Sequence, residues 1–354
     1  MWWVLLAAVV ATELLQLSPS FVEEWYAQWL YPPMAKAMRW LLGWIPFSVG
    51  DLLAGILMVW AIVQIIKGIR CWKSGRATRS GSWRKFTAVI IGLGWAYVLF
   101  HFLWGFNYYR KGSAWLLNIQ TEAYTQADID TLLTTLDTRL QRICSDSALI
   151  EQSKTNDRSS LQMQADLSWK QAAQQYTFMH FSQHSLKPNL LGPLQSYTGY
   201  GGYIFPFTGE AQVDFYVPAY VLPFTVCHEM AHQQGFGSES EANMIGFLAA
   251  RSSKNPAFVY SAYADMFEYA LREMYRRDTA VALQWRDRMP GLLKKDRKEL
   301  KAYYLSKKNP AQPLLDWVYN NYLLRTNQPE GLQSYNRVVA WLIAYGKKYG
   351  WQSL

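Results

Sequence analysis

The stretch VCHEMAHQQGFGSESEAN, residues Val226 to Asn243, contains two of the five histidines of the chain within one helical turn. On a helix, His228 and His232 are four positions apart and project from the same face, so both imidazoles can bind one cation. Glu229 lies about 100° further round the helix, where it reaches a metal-bound water and not the metal. This HExxH pattern predicts one Zn²⁺ per chain, with Glu229 as the general base.

A catalytic zinc site needs a third protein ligand, which must return to the metal after the glycine-rich turn. Glu239 and Glu241 both qualify by residue type, and Ser238 suits the N-cap of a second helix. Asn243 lies four residues after Glu239, on the same face, where it could hydrogen-bond a ligand histidine from behind. We therefore predict Glu239 as the ligand, with Glu241 as the alternative. In a supporting role, Glu241 would be the capping partner of Ser238.

Two apolar runs flank a basic stretch at 67–85. The runs 49–67 and 86–106 are each long enough to cross a bilayer, and buried core helices seldom lack a polar face over such a length. A shorter apolar run, 2–17, is predicted to be a retained anchor, with a cleaved signal peptide as the alternative. The sequence thus predicts a membrane anchor over 1–106 with about three transmembrane helices.

The basic stretch contains seven Lys and Arg residues and no acid, which accounts for most of the net charge of +9. Because short basic loops beside membrane spans stay on the cytoplasmic side, we predict a cytoplasmic loop at 67–85. Residues 107–354 then form an extracytoplasmic domain of a multi-pass protein that contacts membrane lipid. The nearly neutral remainder of the chain argues against a nucleic-acid partner.

Beyond the anchor, most of the chain has the periodicity of amphipathic helices. The segment 187–223 differs, because it is rich in glycine, proline and aromatic residues. It predicts a short hairpin around 203–207 and 212–216. The expected fold class is predominantly α. Whether Cys144 and Cys227 pair is left open.

The stretches GGYIFPFTGEAQV, LPFTVCHEMAHQQGF and ESEAN resemble an uncharacterised family of bacterial membrane proteins, domain of unknown function family 3810. Its members are similar to membrane-anchored zinc metallopeptidases of the gluzincin type. The resemblance implies a mainly helical, zincin-like (α+β) metallopeptidase domain after the transmembrane helices, with a short β-ribbon before the HExxH helix. It also implies Glu239 as a ligand from a second helix, in an ExxAD-like pattern where Asn243 replaces the usual aspartate.

The expected function is therefore peptide-bond hydrolysis outside the bacterial cytoplasm, on a peptide or protein substrate. Gly201, Gly202 and Tyr203 could pair with an extended substrate backbone, since glycine allows close approach. Tyr335 could donate a hydrogen bond to the tetrahedral oxyanion. Two alternatives are an intramembrane zinc protease, which would need an apolar HExxH span, and a non-catalytic zinc-binding protein of the cell envelope. Cleavage preference and oligomeric state are not predicted.

Overall fold

Helices dominate the fold, as predicted. The structure is a computed structural model that describes residues 2–75, 79–180, 185–328, 331 and 337–354. Within these residues the α-helices are α1 (Trp2–Gln16), α2 (Pro19–Phe21), α3 (Tyr31–Leu42), α4 (Val49–Lys73), α5 (Arg79–Leu103), α6 (Gly112–Leu116), α7 (Gln126–Ile143), α8 (Ser147–Ser153), α9 (Arg158–Gln175), α10 (Leu222–Gln233), α11 (Glu239–Arg251), α12 (Pro256–Arg277), α13 (Thr279–Arg288), α14 (Gly291–Ser306), α15 (Gln312–Arg325) and α16 (Arg337–Tyr349). The three strands are β1 (Leu186–Pro188), β2 (Gly202–Phe205) and β3 (Glu210–Val213).

Helices α4 and α5 are both long and apolar enough to cross a membrane, consistent with a membrane protein. Very few of their side chains are buried, and large ones such as Leu57 and Leu93 are exposed on the surface of the protein. Helix α1 alone, at about 22 Å, is too short to cross. Together with the helical segment Pro19–Leu42, from which it is bent by 91°, it forms a third candidate.

The predicted loop at 67–85 is mostly helical, which corrects its boundaries. Helix α4 continues to Lys73 and α5 begins at Arg79, so several of the basic side chains lie on helix ends. Lysine and arginine favour helices, and nothing in this stretch stops one before the glycine at 75. Helix α5 ends at Leu103, three residues earlier than predicted, and a 3₁₀ helix follows over Gly105–Tyr109.

The predicted β-ribbon is present in a three-stranded sheet of order β1-β3-β2. Strands β2 and β3 pair antiparallel, with Tyr203 opposite Gln212, and begin one and two residues earlier than expected. Strand β1 was not predicted, because a strand of three residues is too short to show the alternation of apolar and polar residues that indicates a strand. It pairs with β3 in parallel.

Two buried charges join this sheet to α3 and α4, in the segment 1–106 that the sequence predicts to be a membrane anchor. Lys187 on β1 donates from Nζ to the carbonyls of Leu42 and Gly43, at 3.2 and 2.9 Å, and also to that of Ile45. These carbonyls lie at the C-terminal end of α3. A cation is stabilised at this position because the helix dipole leaves partial negative charge there.

Glu210 on β3 carries the opposite charge and caps the opposite kind of helix end, the N-terminus of α4. Its carboxylate accepts hydrogen bonds from the backbone N–H groups of Val49 at 3.3 Å and Gly50 at 2.8 Å, and from the Thr208 hydroxyl. An anion is stabilised at a helix N-terminus for the same electrostatic reason. Lys187 and Glu210 therefore clamp both ends of the turn between α3 and α4, and we refer to them as the charge clamp.

The largest apolar core lies between α7, α9, α10, α11, α12 and α16. Helix α11 is buried along its whole length apart from Arg251. The end of α10, in turn, rests on the anchor: the Gln233 carbonyl accepts from Tyr31 at 3.0 Å and Arg39 at 3.2 Å. The HExxH helix is thus held between the domain core and the anchor.

We predict that Lys187→Met and Glu210→Gln each lower the free energy of unfolding by about 1–2 kcal/mol, because each removes the charge that caps a helix end. Thermal unfolding of the protein in detergent would measure this. The exposed changes Lys170→Met and Glu122→Gln are matched controls. A charge clamp that contributes nothing would give the same unfolding temperature in all four variants.

Candidate metal centre

The structure brings the three predicted ligands together. The ligand atoms of His228, His232 and Glu239 all lie within 4.8 Å of one another. One carboxylate oxygen of Glu239, Oε2, is 3.2 Å from His228 Nε2 and 3.6 Å from His232 Nε2. All three side chains are buried. Two imidazoles and a carboxylate that converge in this way are able to hold a single metal ion.

The turn between α10 and α11 sets this geometry. Gly235 has a φ of +83°, the left-handed conformation that ends many helices. Ser238 then caps α11, accepting from the backbone N–H of Glu241, whose side chain accepts from that of Ser238 in return. Both features match the sequence prediction, and they make Glu239 the first residue of α11.

Helices α10 and α11 are in close contact at Gly246. A Cβ atom on Gly246 would lie 2.9 Å from both Cα and N of His228, closer than real side chains approach. Any larger residue would push α11, and Glu239 with it, away from the histidines. Sequence reasoning missed this residue, whose only signal is a glycine inside a helical pattern.

The orientation of His232 is determined by a backbone contact. Its Nδ1 lies 2.7 Å from the carbonyl oxygen of Phe236, so Nδ1 carries the proton that this bond requires. The other ring nitrogen, Nε2, is then the one that faces Glu239. Hydrogen bonds of this kind fix the ring angle and the basicity of a metal ligand.

Glu229 is buried beside the three ligands, and its Oε2 has no hydrogen-bond partner among the described residues. Burial raises the pKa of Glu229 to about 7, an effect that the two neighbouring histidines only partly offset. A carboxylate with a pKa near neutrality is suited to exchange protons. Its Oε1 packs on Gly202, where a Cβ atom would lie 2.5 Å away.

A tyrosine that the sequence did not single out contacts the ligand set. The Tyr319 hydroxyl, on α15, donates to Oε1 of Glu239 at 2.8 Å, and its ring lies 4.4 Å from that of Tyr200. Tyr335, the predicted oxyanion donor, lies outside the described residues. A lone tyrosine in an amphipathic helix gives no sequence signal, so only the tertiary structure could identify Tyr319.

Glu241 points away from the metal ligands. Its carboxylate accepts from the backbone of Ser113 at 2.9 Å and from that of Ser238, so it caps α11 and binds α6. The amide of Asn243 donates to the Tyr269 hydroxyl at 3.2 Å and links α11 to α12, and its predicted support of a ligand histidine stays a prediction. These contacts leave Glu239 as the acidic residue that joins the histidines.

The predicted substrate-binding residues lie at the edge of the sheet. Gly201 and Gly202 pass next to α10, facing Thr225 and Glu229. The Tyr203 hydroxyl donates to Asp51 in the first turn of α4, and the predicted pairing of Tyr203 with a substrate backbone stays a prediction. Its side chain therefore anchors β2 to α4.

The cysteines play no part in the centre. Cys144 and Cys227 are both free, so the open question of a disulfide between them is answered. Cys227 is fully buried next to His228, and burial raises the pKa of its thiol.

The family model described as Protein of unknown function (DUF3810) matches residues 26–343. The chain belongs to this family. In this DUF3810 protein the match includes α4, α5, the sheet and every residue of the candidate metal centre. No curated protein and no solved structure matches the chain. The likeness to gluzincins therefore remains a prediction based on the HExxH pattern.

We predict that Gly246→Ala lowers zinc affinity by about tenfold or more, because separating α10 from α11 misplaces Glu239. Competition with a chromophoric chelator would measure the affinity. Gly291→Ala is the matched control, since a Cβ atom there meets nothing within 4 Å. Unchanged affinity in Gly246→Ala would show that the close contact does not position the ligand.

We also predict that zinc binding at pH 7 releases a proton from His232. Burial lowers the pKa of His232, but the Glu239 carboxylate more than compensates and raises it to about 9. Since only the neutral imidazole binds a metal, affinity should increase with pH and level off near pH 9. Calorimetry of Glu229→Gln in two buffers of different ionisation enthalpy would count the protons without a contribution from Glu229. Zero protons released at pH 7 would contradict the assignment.

Proposed function

We propose that this DUF3810 protein is a membrane-anchored, zinc-dependent metallopeptidase that hydrolyses peptide bonds outside the cytoplasm. One observation carries the proposal: His228, His232 and Glu239 converge beside a buried carboxylate, Glu229, whose Oε2 has no hydrogen-bond partner among the described residues. A structural metal would not require such a group. A hydrolase does, because the attacking water must lose a proton.

The donor set supports zinc. Two imidazole nitrogens and one carboxylate are typical of catalytic zinc sites, in which three protein ligands leave one position open. Bound zinc would polarise the substrate carbonyl and make the attacking water more acidic. Structural zinc sites usually have four protein ligands, often cysteines, and the free Cys227 belongs to no candidate group among the described residues.

The residues around the ligands have separate roles in this proposal. Glu229 accepts the proton of the attacking water and passes it to the leaving amine. Tyr319 lies next to the ligand set, where its phenol can donate to a developing oxyanion once it leaves Glu239. Tyr335, for which the sequence predicts the same role, lies outside the described residues, and its role stays a prediction. Together these groups supply a base, a proton carrier and an oxyanion donor.

The edge strand β2 supports a peptide substrate. It is the outer strand of the sheet, and no described strand pairs with its free edge. An extended peptide can add to such an edge through backbone hydrogen bonds. Gly202 would bring this peptide close to Glu229, because the absence of a side chain lets the strand approach the carboxylate. The zincin-like arrangement of strand, HExxH helix and second ligand helix is part of the proposal.

The orientation of the protein in the membrane follows from the position of the basic residues on α4. Lys67, Arg70 and Lys73 lie at the end of α4 that is remote from the metal centre. Because basic residues beside membrane spans remain in the cytoplasm, the metal centre would lie on the opposite side of the membrane. An intramembrane protease is a less suitable alternative, since α10 is not among the helices apolar enough to span a bilayer.

The test compares wild type with three isosteric variants: Glu229→Gln, Glu239→Gln and Glu241→Gln. We expect wild type and Glu229→Gln to hold about one zinc per chain, and Glu239→Gln to lose most of it. Hydrolysis of a quenched peptide library should fall by about 10²- to 10⁴-fold in Glu229→Gln, because the general base is lost. Zinc content is read by atomic spectroscopy and cleavage by fluorescence.

Glu241→Gln is the matched control, since it makes the same chemical change two residues away and retains an oxygen that can cap α11. It should keep both zinc and activity. Zinc without hydrolysis in the wild type would favour the non-catalytic envelope protein, and absence of zinc under zinc-replete conditions would reject both functions. Equal activity in wild type and Glu229→Gln would reject the proposed mechanism.

A further inference from the structure

We infer that the substrates of this chain are membrane-anchored polypeptides, cut within a few residues of the bilayer surface. The inference rests on the proposed peptidase function and on α4 and α5 as membrane spans. It goes further, because it specifies where along its substrate the enzyme cuts. Three features of the structure carry it: the position of the metal centre, the direction of β2 and the apolar surface beside β2.

The metal centre lies immediately above the ends of the candidate spans. Trp104, the first residue after α5, donates from its indole N–H to the carbonyl of the ligand His232 at 3.4 Å, and the two rings lie 6.2 Å apart. The next carbonyl, that of Gln233, accepts from Tyr31 and Arg39 of the anchor. No layer of protein therefore separates the end of the HExxH helix from the anchor.

Strand β2 leads from the proposed catalytic carboxylate to the start of a span. Gly202, at one end, packs on Glu229. Phe205, at the other end, lies with its ring directly on Gly50 in the first turn of α4. Three steps of about 3.3 Å separate these residues, so the strand covers about 10 Å between the reaction site and the top of α4.

Hydrogen bonds hold β2 in its direction from Glu229 towards the first turn of α4. The Tyr203 hydroxyl donates to Asp51, and the neighbouring strand is attached to α4 through Glu210. Because both contacts are made to the first turn of α4, the free edge of β2 cannot tilt away from the span without breaking them. A substrate that pairs with β2 must follow the same line.

The protein surface next to β2 is apolar at the level of the first turn of α4. The backbone N–H of Leu190 donates to Asp51 at 2.9 Å, which places this segment beside the first turn of α4. The side chains of Leu190, Leu191 and Leu194 are 45%, 59% and 63% exposed. Because this segment lies beside the first turn of α4, we assign the occupant of its exposed apolar surface as the lipid of the same bilayer.

A polypeptide that leaves the bilayer beside α4 meets the β2 edge at once. Extended along it, the chain reaches Glu229 after about 10 Å, which corresponds to a cut about three to six residues from the membrane surface. A bond further along the substrate can reach the site only if the intervening residues loop out. The geometry therefore selects for position as well as for sequence.

The experiment uses one cleavable sequence, taken from the peptide library, repeated five times after a single transmembrane helix. This substrate and the full-length protein are reconstituted in the same liposomes, and the cut positions are mapped by mass spectrometry. We expect the repeat nearest the membrane to be cut at least about tenfold faster than the most distal one, because only its residues are held at the edge. Glu229→Gln should abolish every cut, which excludes a contaminating protease.

A soluble polypeptide with the same five repeats separates the inference from the proposed function. If the repeats of the anchored substrate are cut at equal rates, as in the soluble one, the protein is a peptidase but the inference is wrong. If neither substrate is cut although the protein binds zinc, the proposed function fails and the inference fails with it. Preference for the membrane-proximal repeat only in the anchored substrate supports both.

Discussion

The contact between α10 and α11 at Gly246 is the constraint on which the candidate site depends. Two histidines on one helix supply two metal ligands, but they do not determine which residue supplies the third. Glu239 reaches them because α11 approaches the backbone of His228 at a distance that only glycine permits. The left-handed turn at Gly235 and the cap at Ser238 fix where α11 begins. Burial along α11 then prevents it from moving away.

Burying so many ionisable groups is costly unless they compensate one another. Burial raises the pKa of Glu229 to about 7, while the two histidines hold the pKa of Glu239 well below its usual range. One carboxylate is thus ready to bind a cation and the other to carry a proton. The difference follows from position, since Glu239 faces both imidazole Nε2 atoms and Glu229 faces Gly202.

The segment 1–106, predicted to be a membrane anchor, supports the candidate site directly. Lys187 and Glu210 connect the sheet to α3 and α4, and the charges suit the helix dipoles at both points. Trp104 donates a hydrogen bond to the carbonyl of His232, in the last turn of α10. A sheet and a helix that are both attached to the anchor keep a constant distance from the bilayer in which we propose α4 and α5 lie. The proposed preference for membrane-proximal bonds is a consequence of this attachment.

The local pattern of the sequence was sufficient to predict the helical character, the two apolar helices, the β-ribbon and the histidine pair. It also predicted the turn and cap that follow, because periodicity, glycine and N-cap signals act over a few residues. From the local sequence alone, Glu239 could only be preferred over Glu241 as the third metal ligand. Both are acidic residues in the first turn of one helix.

Only the tertiary structure decided what depends on contacts between distant segments. In the folded chain, Glu241 accepts a hydrogen bond from Ser113 and Tyr203 donates one to α4. Tyr319 donates one to Glu239, which lies 80 residues earlier in the sequence. The tertiary structure also places Lys187 and Glu210 at their helix ends, although no local sequence pattern marks either residue as a helix cap. The physical reason is that a side chain's partner is set by how helices and strands pack, and packing sums many weak contacts that no short stretch of sequence contains.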